Sequence, residues 1–350
     1  MKNKAARTLL LGLAVLALAG LVVYSLRTNP QWKLFDRRAF FQSLVSVDKF
    51  WLACALLAVY ATYGVRALRW KALMAPTKPS AGLWNIFSAT VIGFGAIGLL
   101  GRAGEMVRPY LVARKEAVPV SSQLAVWFLE RVFDMLTLLI TVAFALARFE
   151  QAGLAVSPAW TRALAASGTV VAWTTLGMAA LLAAYSLLAE HATGWLLGRL
   201  RFLPLRHFER AERAVLAFVQ ASQAIRRPGT LLVIAAWSVA EWVLIALCYG
   251  AVFNSFSGGL RLSFTGTLIF MGSVMAGSLI QVPALGGGIQ AASLVVLTEV
   301  FAVRPEVAAS ISLLIWFFTF LAVVPPAVVF ALAEGLSWSK LRRLEPEELK

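Results

Sequence analysis

The chain has 350 residues, 60% of them hydrophobic and 14% charged, with a mean hydropathy of +0.78. That balance excludes an ordinary soluble domain and points to an all-α polytopic membrane protein. A net charge of +15 would suit nucleic acid, but basic residues in a membrane chain are distributed by topology, so no nucleic-acid partner is expected.

At the N-terminus, Lys2, Lys4 and Arg7 precede an apolar run over 8–26 that contains Ala17-Leu18-Ala19, the pattern of a signal-peptidase site. The run outlasts a normal signal core, so an uncleaved first helix is expected, with a cleaved signal as the alternative. A second span covers 50–65, and Arg66, Arg69, Lys71 and Lys78 after it read as a cytoplasmic segment. The intervening loop is the exception to the topology rule. It places Arg27, Lys33, Arg37, Arg38 and Lys49 outside, only partly offset by Asp36 and Asp48.

The apolar stretch 86–100 is Gly-rich and reads as a broken or re-entrant helix within a hairpin over about 84–119. Its turn, Gly101-Arg102-Ala103-Gly104-Glu105-Met106-Val107-Arg108, exposes backbone N–H groups beside cations, which suits phosphate; a solvated cytosolic loop is the competing reading. The run 120–147 has spanning length yet carries Glu130, Arg131 and Asp134. In a helix begun near Ser121, Glu130 lies about 13 Å along, inside hydrocarbon. Glu130 and Asp134 share a face at i, i+4, and Arg131 neighbours Asp134 at i, i+3. Intramembrane ions of this kind line a path, or lock helix packing through an ion pair.

A fourth span is expected over 164–188. The region 190–229 then carries Arg199, Arg201, Arg206, Arg210, Arg213, Arg226 and Arg227, with Leu205, Phe208, Val215 and Val219 at helical spacing, as an amphipathic cytoplasmic linker. His191 and His207 read as polar surface residues. The span 231–253 holds Glu241 between Trp237 and Trp242 with no base in reach on its own helix, so it must meet Arg131 or Arg102, face water, or stay protonated. Stretch 262–282, again Gly-rich, leads into Val282-Pro283-Ala284-Leu285-Gly286-Gly287-Gly288, a run tolerated at membrane depth only against protein or a wet cavity; a simple extracellular turn is the alternative. A last span covers 308–333, where Pro325-Pro326 predicts a kink. Trp51, Trp70, Trp84, Trp160 and Trp195 fall near segment ends as interface anchors, and Cys54 and Cys248 sit in apolar segments as isolated thiols.

If 86–100 crossed completely, the Arg-rich linker would fall outside, so a second hairpin over about 262–305 is expected, inserted oppositely to the first. Phe87-Ser88-Ala89-Thr90 and Phe264-Thr265-Gly266-Thr267 open the two broken segments, and the elements following them run in the same order. The expected architecture is one membrane domain over 1–350 with halves 50–147 and 230–333: six spanning helices plus two hairpins in an inverted repeat.

Arg69-Trp70, then Arg102 to Gly104-Glu105 to Arg108, Glu130-Arg131 to Asp134, and Pro283 to Gly286-Gly287-Gly288 resemble, in that order, the lysylphosphatidylglycerol synthase membrane domain, also called the flippase-like family. The resemblance covers nearly the whole chain. It implies lipid translocation without the aminoacylation performed by the soluble domain of the family's full-length synthases. Gln290 stands where family members often have Glu.

Arg102, Arg108 and Arg131 are therefore expected to attract phosphate, and Glu130, Asp134 and Glu241 to balance a cationic headgroup or carry protons. The expected partners are membrane lipids of anionic phospholipid or polyprenyl-phosphate type, beside a second copy of the chain or a separate lipid-modifying enzyme. The expected location is the cytoplasmic membrane with both termini inside. No G-x-x-x-x-G-K-[ST], H-E-x-x-H or C-x-x-C occurs, so no cofactor and no ATP hydrolysis are expected. A membrane transferase using Glu130 or Asp134 as base, and a scaffold subunit, are the rival classes.

Overall fold

The computed structural model describes residues 35–147, 158–200, 204–256, 260, 262–277, 281–282 and 286–335, so the predicted first helix over 8–26 lies outside the described residues. The described chain is helical apart from a two-residue ladder. A short helix, α1 (Arg37–Val45), precedes α2 (Lys49–Met74); the carboxylates of Asp36 and Asp48 accept from the N–H groups of Arg38 and Phe50, both at 2.8 Å, and so cap the two helices. These two acids thus start the helices that follow them.

Helix α3 (Leu83–Leu100) stops at Gly101, whose φ of 63° favours glycine. A 3₁₀ turn over Gly101–Met106 leads into α4 (Val107–Glu116). Helix α4 runs back along α3, and the Glu116 carboxylate at its end accepts from the N–H of Gly82, which caps α3, at 3.1 Å. Both ends of this hairpin therefore meet on one side, as the parity argument required. Next come α5 (Val120–Ala147), the 43-residue α6 (Pro158–Leu200), α7 (Leu205–Arg226) and α8 (Pro228–Asn254). Pro228 occupies a first-turn position that needs no N–H donor. The amphipathic linker is real as α7, but its predicted first part, from residue 190, is the continuation of α6.

A second hairpin pairs α9 (Phe264–Gly277) with α10 (Gly288–Val295), joined at its tip by antiparallel β1 (Gln281–Val282) and β2 (Gly286–Gly287). After a wide π-type turn over Val296–Val300, α11 (Pro305–Trp316) leads through a second such turn, Phe317–Leu321, into α12 (Val324–Ala333). Pro325 and Pro326 sit in the first turn of α12, so the predicted kink is a break between two helices.

Four described helical stretches are long and apolar enough to cross a bilayer: Lys49–Met74, Leu83–Leu100, Pro228–Asn254 and Pro305–Ala333. Helix α5 has the length, but three charges interrupt its apolar character. The residues 50–147 and 230–333 share one order of elements: long helix, hairpin, long helix.

Two apolar cores form, and they divide the same helices between them. On α2, Ala55, Val59 and Tyr63 belong to one core and Ala67, Trp70, Leu73 and Met74 to the other. On α8 the division falls between Ile234 and Trp242, and on α5 between Phe133 and Ala145. Charged residues occupy the junction on all three.

Candidate functional site

The junction is an ionic network with Arg69 at its centre. Arg69 is fully buried and reaches three carboxylates: Asp134 at 2.7 Å, Glu241 at 3.0 Å and Glu130 at 3.1 Å, while also donating to the Ser238 hydroxyl at 3.1 Å. Arg66, one turn earlier on α2, pairs with Glu241 at 2.7 Å. Arg108, on the first turn of α4, pairs with Glu130 at 2.9 Å and donates to the backbone carbonyl of Arg66 at 3.2 Å. Arg131 completes the set, reaching Asp134 at 2.9 Å and Glu130 at 3.1 Å through the same terminal nitrogen, Nη2.

Aromatic faces support two of the cations. The Arg108 guanidinium lies 4.0 Å from the Trp70 ring centroid, and that of Arg66 lies 4.3 Å from Phe94. The Trp70 indole N–H donates to Gln123 at 2.9 Å, which fixes the ring from α5. Trp70 is therefore fully buried and no interface anchor; its aromatic face serves the network. Trp84 and Trp195 are exposed, as anchors should be.

Burying charge is costly unless each ion is paired and bonded, and here every carboxylate contacts at least two guanidiniums. Exposure is uneven. Glu130 and Arg69 are sealed, whereas the Arg131 side chain is 39% exposed. Its neighbours one turn away on the same face, Phe128 and Met135, are also exposed. An exposed charge among apolar side chains at the middle of a membrane-length helix is costly unless water or an anionic neighbour accompanies it.

The hairpin tips meet beside this network: β1 lies against the 3₁₀ turn. Gly104, buried there, permits the turn to press on the backbone of Ala96, which any Cβ at that position would strike. Gly93 does the same for α4, since a Cβ on it would lie 2.6 Å from the Arg108 Cβ. Small residues thus set how far Arg108 reaches into the network.

Of the predicted site residues, Arg108, Glu130, Arg131, Asp134 and Glu241 converge. Gly104 and half-buried Glu105 lie on the first hairpin turn, and Arg102 belongs to it by backbone, its side chain outside the described residues. Gly286 and Gly287 form β2, buried Gly288 starts α10, and half-buried Gln290 follows on α10. Pro283 lies outside the described residues. Glu241 meets neither of its expected partners within them; Arg66 and Arg69 take that role.

Arg66 and Arg69 are what the sequence reading misplaced. The apolar run 50–65 gives a complete-looking span, and basic residues after it read as cytoplasmic, yet α2 continues to Met74. The available signal was their spacing: Arg66, Arg69 and Trp70 stand at i, i+3 and i+4, one helical face continuing past the apolar run.

A second group of charges ties down the open end of the first hairpin. Lys78 pairs with Glu116 at 3.1 Å, Asn85 donates to Glu116 at 2.8 Å, and Lys115 pairs with Glu334 just beyond α12. Burial pushes the Glu116 carboxyl up, but the Asn85 amide, the Lys78 ammonium and the Gly82 N–H together hold it below the usual carboxylate range.

The fold is that of a polytopic helical membrane protein with a charged network buried between two apolar cores. The chain matches the family described as Lysylphosphatidylglycerol synthase TM region over residues 9–327, and it belongs to that family. No curated protein and no solved structure matches it.

Proposed function

We propose that this chain translocates lipid, passing a phospholipid or polyprenyl-phosphate headgroup across the cytoplasmic membrane while the acyl chains stay in the bilayer. The family relates it to lipid handling, and one observation carries the finer reading: Arg131, part of a buried ionic network, is exposed on an apolar face of a membrane-length helix. A phosphate moving along that face meets a fixed cation where the bilayer otherwise offers none. The hairpin tips, which meet where β1 lies against the 3₁₀ turn, bring glycine backbone toward that path. Lys78, Arg114 and Lys115 at the open end of the first hairpin favour a cytoplasmic position for it, and the Arg-rich α7 favours the same side, which puts both termini inside.

No chemical step on the lipid is part of this reading, and movement runs downhill or is coupled to ions. Reconstituted vesicles with headgroup-labelled lipid test it. Wild-type protein should redistribute label between leaflets faster than empty vesicles, and a Glu130→Gln plus Arg131→Ala variant should not. Equal rates in all three would end the proposal, and conversion of the labelled lipid to a new species would establish a membrane transferase instead.

A further inference from the structure

One group of basic residues runs against the topology rule, and three of them, Arg37, Arg38 and Lys49, stand on or beside α1. We propose that α1 lies in the bilayer interface at the Lys49 end of α2, with Arg37, Arg38 and Lys49 against anionic lipid headgroups of that leaflet and Phe41, Val45 and Phe50 among the acyl chains. This surface reads charge and is separate from the ionic network, since Arg66 stands about 25 Å further along α2. It goes beyond the translocation reading and does not depend on it.

Helix α1 has two unlike sides. On one, the Ser43 hydroxyl lies 2.6 Å from that of Ser310 on α11, and the Ser310 hydroxyl also reaches the Phe40 carbonyl at 3.4 Å. The N–H of Asp36, just before α1, donates to the buried Glu306 carboxylate in the first turn of α11 at 3.1 Å. These bonds fix the rotation of α1. The other side carries Arg37, Arg38, Phe41, Gln42 and Val45, all exposed. Arg37, Phe41 and Val45 stand at i, i+4 and i+8, so the stripe begins basic and ends apolar. Phe41 is 63% and Val45 84% exposed, and Phe50 continues the apolar end onto α2 at 66%. Basic and large apolar side chains on one face suit the boundary between headgroups and acyl chains, where the cations reach outward and the apolar groups inward.

The position of α1 fits that boundary. Helix α2 has 26 residues, about 39 Å, and so outlasts a hydrocarbon core of about 30 Å. At its far end Gln220 of α7 donates to the Pro76 carbonyl at 3.2 Å, so α7 and α1 stand at opposite ends of α2. At the near end the Asp48 N–H donates to the carbonyl of Ser255, the residue after α8, at 2.7 Å. Held to α11 and adjoining the ends of α2 and α8, α1 sets the depth of all three. The charges call for an external anion. Asp36 and Asp48 turn their carboxylates to the N–H groups of Arg38 and Phe50, and among the described residues no ion pair joins Arg37, Arg38 or Lys49 to a carboxylate. Arg37 and Arg38 also occupy the first turn of α1, at the positive pole of the helix, with no acid inside that turn. An anionic leaflet attracts each such cation, and salt weakens the attraction.

Photocrosslinking of the full chain tests this. Val45→Cys carrying a benzophenone maleimide would be reconstituted in phosphatidylcholine with about three parts in ten phosphatidylserine, and adducts read on the peptide that holds residue 45. Phospholipid should be the main adduct, with phosphatidylserine over-represented about threefold relative to its share of the bilayer. Adding Arg37→Gln and Arg38→Gln should bring that ratio to about one while lipid adducts persist. Salt at about 1 M, where the screening length is about 3 Å, should do the same without those two changes. Absence of lipid adducts would put the stripe in water, and a crosslink to residues 1–34 or to a second copy of the chain would give it a protein occupant. Either result overturns the proposal, as does a ratio near one before the arginines are changed, or a ratio that neither the substitutions nor salt lowers. None of these readings involves lipid crossing between leaflets, so the translocation assay and this one fail independently.

Discussion

Arg69 and Arg131 belong to one network but carry different burdens. Arg69 is sealed, and truncating it takes one partner from each of Glu130, Asp134 and Glu241 in an apolar setting; loss of a buried partner of this kind costs about 3–5 kcal/mol. Arg131 is half-exposed, and Glu130 and Asp134 each keep another guanidinium when it is removed, so its loss costs less than that of Arg69. Thermal unfolding in detergent should therefore rank Arg69→Ala far below wild type and Arg131→Ala close to it, while translocation falls in both. Equal destabilisation would mean that Arg131 is a packing residue. Arg69→Lys should rescue little, because a point charge cannot span three carboxylates as a planar fork does. Glu116 gives a prediction in pH. Its folded carboxyl titrates below the ordinary value, so its contribution is complete above about pH 4.3 and disappears as pH falls through the folded value. The stability gap between wild type and Glu116→Gln should accordingly be present at neutral pH and close on acidification. A gap that stays constant on acidification to the point where the carboxyl is protonated in both states would contradict the carboxylate's role as acceptor for Gly82, Asn85 and Lys78.

At the scale of elements, the hairpins depend on glycines where backbone meets backbone. Gly104→Ala would force the 3₁₀ turn away from Ala96, at a cost of about 1–3 kcal/mol, and would shift Arg108 with it. Gly64→Ala and Gly250→Ala meet nothing within 4 Å and should be neutral or slightly stabilising in the same unfolding measurement. If Gly104→Ala behaves like these controls, the tip is not close-packed. Much of this level was legible in the chain itself. Gly-rich apolar runs ending in polar turns marked both hairpins, although α3 runs unbroken through its glycines and reverses only at Gly101. Helix ends were less legible: the apolar run stops at Val65 while α2 continues to Met74, because its last turns are held by tertiary ion pairs rather than by lipid, and only the spacing of Arg66, Arg69 and Trp70 pointed to the continuation.

For the whole molecule, the ionic residues of α5 and α8 could be named from sequence because a charge in an apolar run is conspicuous locally. Their partners could not, because the contacts join α2 to α8 and α4 to α5 across long separations, and no single-helix pattern encodes them. The two apolar cores, joined by one charged seam, explain why the charges lie where they do: α2, α5 and α8 each contribute to both cores and carry ions where the two meet. That seam reaches the exposed surface of the helices through Arg131. The most direct measurement is photolabelling of the protein in vesicles with a phospholipid whose headgroup bears the reactive group, followed by mapping of the labelled peptides. Label on the segment around Phe128, Arg131 and Met135, lost in Arg131→Gln, is the predicted result. Label confined to segments at the membrane surface, such as those around Trp84 and Trp195, and unchanged in the variant, would contradict the account.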